Sequence, residues 1–172
     1  MKNISFRDDI LPLKNELFRL ALRITLNPAE AEDVVQETMI KVWGRREQWQ
    51  QIDNMEAFCI TTCRNLALDK TKKMANRSQS LDDDSLGAPD NSYASNPEEQ
   101  TIQRDRIELV RRLMDSLPEK QRTVMLLRET EGKSYKEIAA IMDVSEEQVK
   151  INIFRARQTI KQRYLKTENY GL

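Results

Sequence analysis

The 172-residue chain contains no histidine, and it has only two cysteines, four glycines and 6% aromatic residues. Two cysteines without histidine are too few for the usual zinc-ligand sets, so no metal is expected. There is no glycine-rich phosphate loop and no recognisable pair of catalytic acids, which predicts no enzymatic activity, no catalytic residue and no cofactor. Scarce glycine and the lack of alternating β-branched runs indicate an all-α fold.

Long apolar runs and a cleavable leader are also missing, so we expect a soluble, cytoplasmic protein without membrane insertion. Cys59 and Cys63 lie one helical turn apart. The expected role for both is that of small buried core residues, and a redox switch is the alternative.

The net charge of zero conceals an uneven distribution. Residues 1–75 carry 12 cations and 11 acids, residues 76–100 carry 1 and 6, and residues 101–172 carry 15 and 11. The acidic middle segment is rich in Ser, Asn, Asp and Pro and almost free of large apolar residues, which is typical of a flexible linker. We therefore predict two small helical domains, 1–75 and 101–172, joined by a flexible acidic linker.

Near the C-terminus, two capping-box patterns frame a short helix and a longer one. Ser134 with Glu137 starts the first helix, and Ser145 with Gln148 starts the second, so the break between them falls at about Asp143. This order predicts a helix-turn-helix DNA-binding unit at the end of the C-terminal domain.

The second of these helices is basic, with six cations and no acid between residues 148 and 166. Ile151, Phe154 and Arg155 point away from its buried stripe, while Lys150, Arg157 and Lys161 follow one flank as phosphate contacts would. A solvated charged helix is the alternative. The capped break between the two helices favours DNA binding over this alternative. The predicted buried stripe is Val149, Ile153, Ala156 and Ile160.

In the N-terminal domain, Asn27 and Pro28 start a helix whose exposed side combines acids, an amide and one isoleucine. This mixture suits docking of a partner helix, although a solvent-exposed surface with one stray aliphatic residue is equally compatible. The exposed residues are Glu30, Asp33, Gln36, Glu37 and Ile40.

A further helix, predicted to be capped by Asp53 with Glu56, carries a polar and basic outer face close to Trp49 and Phe58. Aromatic rings beside cations and amides can bind unstacked bases. Both aromatic residues could equally belong to the core. The polar face comprises Thr61, Arg64, Asn65 and Lys72, and the inner stripe comprises Met55, Cys59, Cys63 and Leu66.

Four stretches together resemble the extracytoplasmic-function sigma factors, the small two-domain specificity subunits of bacterial RNA polymerase. AEDVVQETMIKVW resembles the polymerase-binding helix of that family, and RNLALDKTKK resembles its minus-ten helix. LPEKQRTVMLLRETEGKSYKEIAAIM resembles the start of the minus-thirty-five domain, and VKINIFRAR resembles its recognition helix. The stretches occur in the family's order.

The resemblance implies binding to core RNA polymerase, to promoter DNA and to an anti-sigma factor. It implies polymerase docking by the second helix and a flipped base held by the loop from Arg46 to Asn54. With the faces described above, the polymerase-docking residues are Asp33, Gln36, Glu37, Ile40 and Lys41. The minus-ten residues are Trp49, Asn54, Phe58, Thr61, Arg64, Asn65, Lys70, Lys72 and Lys73. The minus-thirty-five residues are Gln148, Lys150, Ile151, Phe154, Arg155, Arg157 and Lys161.

The chain departs from the family pattern at three places. Phe58 stands where tryptophan is common, Ile151-Asn152 replaces a frequent Ser-Arg pair, and Asp143 occupies a position where glycine is usual. The promoter sequence therefore cannot be copied from other members. Asp tolerates a left-handed backbone, so the turn is still expected.

The linker length constrains the free protein. Elements about seventeen base pairs apart are separated by roughly 58 Å, whereas a relaxed 25-residue coil spans only about 25–30 Å. The free chain should thus favour a compact arrangement of its domains. Two rival functions remain at this stage: a stand-alone helix-turn-helix regulator, and a helical adaptor that binds only protein.

Overall fold

The computed structural model describes residues 3–78 and 99–169, and these residues form helices and turns without a strand. The all-α prediction is confirmed. Residues 79–98, most of the predicted linker, lie outside the described residues, and both flanking ends of that linker belong to helices. The seven α-helices of the described ranges are α1 Lys14–Thr25, α2 Pro28–Gly44, α3 Met55–Ser78, α4 Glu99–Asp115, α5 Glu119–Met125, α6 Tyr135–Met142 and α7 Glu146–Asn169.

Helices α1, α2 and α3 pack against one another around an aliphatic core. Asn27 caps α2 as predicted, because its Oδ1 accepts a hydrogen bond from Glu30 N at 3.2 Å. The cap predicted for α3 is wrong by one residue. Asn54, rather than Asp53, accepts from the backbone N–H of Ala57 at 3.1 Å. An amide at this position satisfies the first free N–H groups of the helix as well as a carboxylate does.

Helices α5, α6 and α7 form the C-terminal unit, and the Leu126–Thr130 turn continues α5 as a π-helix. Ser134 and Glu137 form the predicted capping box, and Ser145 Oγ accepts from Gln148 N at 3.1 Å. Asp143 ends α6 in the left-handed region, with a φ of 54°. The α7 stripe packs inward as predicted, since its first three residues are buried and Ile160 is half-buried.

The left-handed backbone at exposed Asp143 predicts how substitutions there affect stability. A β-branched side chain clashes in this conformation, so Asp143→Val should destabilise the chain by about 1–2 kcal/mol. Asp143→Gly should stay within about 0.5 kcal/mol of the wild type, since glycine adopts the region freely but has more conformational entropy to lose. Thermal unfolding followed by circular dichroism measures both. Equal stability of the two variants would contradict the assigned turn.

The N-terminal and C-terminal helices also pack against each other, α1 against α5 and α3 against α6. The described parts of the two predicted domains therefore form a closed arrangement, which agrees with the compact free protein expected from the linker length. No helix within the described ranges is long and apolar enough to cross a membrane.

Candidate nucleic-acid interface

Helix α7 presents all seven predicted minus-thirty-five residues to solvent. Phe154 is 61% exposed and Ile151 is 39% exposed, although both are large and apolar. The helix is held from beneath by its buried stripe, and its N-terminus is capped by Ser145. A rigid, capped helix with outward apolar and cationic side chains has the form of a major-groove reader.

The cations of α7 differ in whether they contact other side chains of the chain. Arg157 is paired with Glu129, and this carboxylate raises the pKa of the Arg157 guanidinium. Lys150 Nζ lies 5.6 Å from the centre of the Tyr135 ring. Arg155 and Lys161 are exposed and form no ion pair with any described residue. The free cations can neutralise DNA without first breaking an internal pair.

The predicted docking face of α2 is exposed, and Ile40 is the most exposed large apolar residue of the described chain at 69%. Glu30 is half-buried rather than exposed. Lys70 of α3 reaches across to this face, with its Nζ 3.5 Å from Glu30, 3.9 Å from Asp33 and 3.7 Å from Glu37. Lys70 is thus tied to the acids of α2, whereas the sequence reasoning placed it along a DNA strand.

On α3, Asn65, Lys72 and Lys73 are exposed, and Phe58 and Thr61 are half-buried. These five residues therefore remain at least partly accessible to solvent. Arg64 does not join them, contrary to the prediction. It is only 8% exposed, because its side chain points toward the C-terminal helices and lies 3.7 Å from Glu119.

Of the two roles left open for Trp49, base stacking and the core, the described arrangement places its side chain in the core. Its side chain is only 6% exposed, and its indole Nε1 donates to Val42 O at 2.9 Å. The ring of Trp43 packs edge-on against it, with 6.0 Å between the centroids. Trp49 is therefore a fixed wall of a cleft of about 880 Å³, which Asn54 and other residues of the loop also line.

Ion pairs across the interface between the two halves were not anticipated from the sequence. Arg19 pairs with Glu131 through two bonds of 2.6 and 3.0 Å, and Arg23 Nη1 lies 2.9 Å from Asp115. Lys133 pairs with two acids of the N-terminal half, Glu16 at 3.1 Å and Glu56. No local pattern marks these pairs, since Arg19 and Glu131 are 112 positions apart.

The two cysteines occupy the core, as predicted. Cys63 donates its thiol to Leu17 O at 3.4 Å, and Cys59 lies one turn before it on the same helix. Burial raises the pKa of Cys59 to about 11 and that of Cys63 to about 12. Both thiols are therefore protonated and poorly nucleophilic at neutral pH. The described residues contain no cluster of potential metal ligands.

Comparison with known families matches both halves of the chain. Residues 10–77 match the model of sigma-70 region 2, and residues 107–160 match that of sigma-70 region 4. The chain is 31% identical over 158 residues to the extracytoplasmic-function RNA polymerase sigma factor EcfG of Rhodopseudomonas palustris, covering 91% of this chain and 83% of that protein. It is 33% identical over 137 residues to the sigma-E factor of Escherichia coli, covering 76% of this chain and 72% of that protein.

Among solved structures, the fold resembles the sigma factor RpoE from Bartonella quintana, which was crystallised with the anti-sigma factor NepR. The TM-score is 0.71 at 22% identity, and the match covers 91% of this chain and 94% of that chain. The relatives above 30% identity indicate the same family as this fold. The two matched sigma regions also follow one another in the order that the sequence predicted. The chain belongs to the extracytoplasmic-function sigma factors, and it is a promoter-specificity factor that binds RNA polymerase and promoter DNA and directs the initiation of transcription.

Proposed function

We propose that three separate surfaces divide this function among them: α7 binds the minus-thirty-five element, the exposed side of α3 follows the minus-ten strand, and α2 docks on the polymerase. The domains would be residues 1–75 and 101–172, with residues 76–100 as the linker. The observation that carries the proposal most directly is the exposure of Ile151 and Phe154 beside the unpaired Arg155 on a capped, basic helix.

The base-reading role of α7 follows from the chemistry of its outward side chains. The methyl group of thymine is the apolar feature of the major groove, and aliphatic or aromatic side chains contact it favourably. Arg155 is suited to guanine or to a phosphate. Lys150, Arg157 and Lys161 would hold the backbone, which fixes the position of the helix without reading sequence.

Substituting uracil for thymine in the minus-thirty-five element tests this assignment, because the exchange removes only the methyl group. We expect about fourfold weaker binding for each thymine that Ile151 or Phe154 touches, as estimated from the transfer free energy of one buried carbon. Ile151→Ser should be less sensitive to the exchange. Binding is measured by fluorescence anisotropy with the full chain and polymerase.

Lys150→Ala is the control for this experiment. It should weaken binding to thymine DNA and to uracil DNA alike. It should also reduce the slope of log affinity against log salt concentration by the contribution of one phosphate contact. If uracil is tolerated at every position of the element, α7 does not read thymine methyls, and the base-reading role passes to Arg155 and Gln148.

For the minus-ten element, the supporting features are the exposed Asn65, Lys72 and Lys73 beside the half-buried Phe58 and Thr61. Trp49 and Asn54 would shape the cleft for an extruded base, and Arg64 and Lys70 would become available only after their contacts with Glu119 and α2 are released. The contribution of Arg64 would thus depend on separation of the two halves, whereas Lys70 would have to leave the acids of α2 within its own half.

The docking surface on α2 would consist of Asp33, Gln36, Glu37 and Ile40. An exposed isoleucine surrounded by acids and an amide offers one apolar anchor with a charged rim, which is how interface hot spots are built. We further propose that the chain acts in the cytoplasm with the polymerase and has no catalytic activity of its own.

An anti-sigma factor is the remaining proposed partner. Two solved structures with a similar fold contain a bound partner: RpoE with the anti-sigma factor NepR, and CnrH with the cytosolic domain of CnrY. In this chain, an apolar groove of about 440 Å³ lies between α1 and the C-terminal helices, with Leu22, Val110 and Ile160 among its lining residues. A groove at the junction of the two halves supports binding of an inhibitor that holds them together.

A further inference from the structure

Lys70 of α3 lies against the acids of the proposed docking surface on α2. Glu30, Asp33 and Glu37 follow one another at intervals of three and four residues, so all three lie on one side of α2. The Lys70 ammonium lies 3.5 Å from Glu30, 3.9 Å from Asp33 and 3.7 Å from Glu37. Among the described residues, no second cation lies within ion-pair distance of these acids.

The contacts of Lys70 are loose. All three are longer than the roughly 2.7–2.9 Å of a hydrogen-bonded ion pair, whereas Arg19 and Glu131 approach to 2.6 Å in the same molecule. The side chains of Asp33 and Glu37 are 59% and 50% exposed, so water screens their attraction for Lys70. A lysine that is held in this way can be displaced at small cost in free energy.

The charge of Lys70 affects any cation that approaches α2. Three carboxylates and one ammonium leave two negative charges in the cluster, against three without Lys70. An incoming lysine or arginine must either displace Lys70 or accept a weaker attraction to the partly neutralised acids. Both cases lower the affinity of a basic partner for α2, because like charges repel at short range.

We propose that Lys70 is an internal competitor for the polymerase-docking surface: it neutralises the acids of α2 in the free chain, and basic side chains of the polymerase displace it on docking. The inference rests on the proposed docking role of α2 and adds the chemistry of the partner surface. That surface presents lysine or arginine beside an apolar site for Ile40, which is 69% exposed. Lys70 thereby keeps the affinity below the maximum that α2 could reach.

The test is a titration of the full-length chain with purified core polymerase in the absence of DNA. Lys70→Met keeps the apolar stem and removes the charge, and it should bind polymerase about threefold more tightly than the wild type, a gain suited to a partly exposed ion pair. The gain should shrink as the salt concentration rises, because salt screens exposed charges. A residue that only supports the helix packing would give a loss of affinity.

Two further variants serve as controls. Lys70→Arg keeps the charge and should stay within about twofold of the wild type. Lys120→Met removes the same charge from an exposed position of the C-terminal half, where the lysine forms no ion pair with any described residue, and should bind polymerase normally. In a background of Asp33→Asn with Glu37→Gln, Lys70→Met should give little further gain, since two of the three acids are already neutral.

Unchanged or weaker binding of Lys70→Met would overturn the proposal, as would an equal gain in Lys120→Met, which would show a general charge effect. Lys70→Gln is measured beside it and should show the same gain, so a packing defect caused by methionine cannot hide the effect of the charge. Failure of the proposed docking role is recognised separately: Asp33→Arg with Ile40→Lys would then leave the polymerase affinity unchanged.

Discussion

Changing Asp33 to arginine together with Ile40 to lysine should lower the affinity for core polymerase by about a hundredfold or more. Interface hot spots contribute about 2 kcal/mol or more each, and a hundredfold change in affinity corresponds to about 2.7 kcal/mol. The double variant removes the apolar anchor, which is 69% exposed in the free chain, and reverses a charge at its rim. A fluorescence titration with purified core polymerase measures the effect.

The fold of α2 should survive both changes. Its buried side is formed by other residues, including Val34 and Thr38, and Asp33 contributes only one long contact of 3.9 Å to Lys70. Glu47→Arg makes a comparable charge reversal at an exposed position outside α2 and should bind polymerase normally. Unchanged affinity of the double variant, with normal helical content, would remove α2 from the docking surface.

The second large effect concerns the closed arrangement. Glu131→Arg would face Arg19, and Lys133→Glu would face Glu16 and Glu56, so the double variant places like charges at both contacts. We expect the two halves to separate. A compact chain of this length has a radius of gyration of about 16 Å, and separation of the halves should raise it by roughly 5 Å or more. Small-angle X-ray scattering measures the change.

The expected length of the promoter and one contact of the interface support opening of the closed form during promoter binding. Two elements about seventeen base pairs apart would be separated by roughly 58 Å, which is large compared with the radius of gyration of about 16 Å of a compact chain of this length. The contact at Arg64 is also poorly satisfied, since its Nε lacks a hydrogen-bond partner among the described residues and its ion pair is 3.7 Å long. A buried guanidinium with incomplete partners costs free energy. The interface is therefore suited to being opened.

The charge-preserving exchange Glu131→Asp with Lys133→Arg serves as the control and should stay compact. In the closed form, a rise in ionic strength should weaken the exposed Arg19–Glu131 pair more than the largely enclosed Lys133 pair with Glu16. A radius of gyration that is the same for wild type and charge-reversed variant would contradict the role of these ion pairs in holding the halves together.

Much of the local structure could be predicted from the sequence because it depends on near neighbours. The Ser134–Glu137 capping box, the left-handed Asp143 and the inward stripe of α7 all follow from spacings within one or two turns. The exposure of Ile151 and Phe154 follows from the same periodicity. Chain-local rules determine such features with little help from tertiary contacts.

The side chains that the sequence did not place correctly are those whose position depends on tertiary contacts. Arg64 lies opposite the stripe of Cys59 and Cys63, so the periodicity of α3 alone predicts an exposed residue, but the C-terminal helices cover it and Glu119 pairs with it. Trp49 follows a polar segment, yet its indole N–H reaches back to the Val42 carbonyl near the end of α2, and the ring lies in the core. Lys70 is drawn to three acids of another helix. Single-sequence patterns do not report which helix a side chain will meet.

We expect promoter-specific initiation to require both this chain and core polymerase. The most direct test is run-off transcription with purified core polymerase, the full-length chain and a genomic promoter library. We expect discrete transcripts only when chain and polymerase are both present, and their start sites should share a two-element upstream pattern. Tight, specific binding of promoter duplex by the chain alone, with no transcript when polymerase is added, would contradict the role of a sigma factor and indicate a stand-alone regulator.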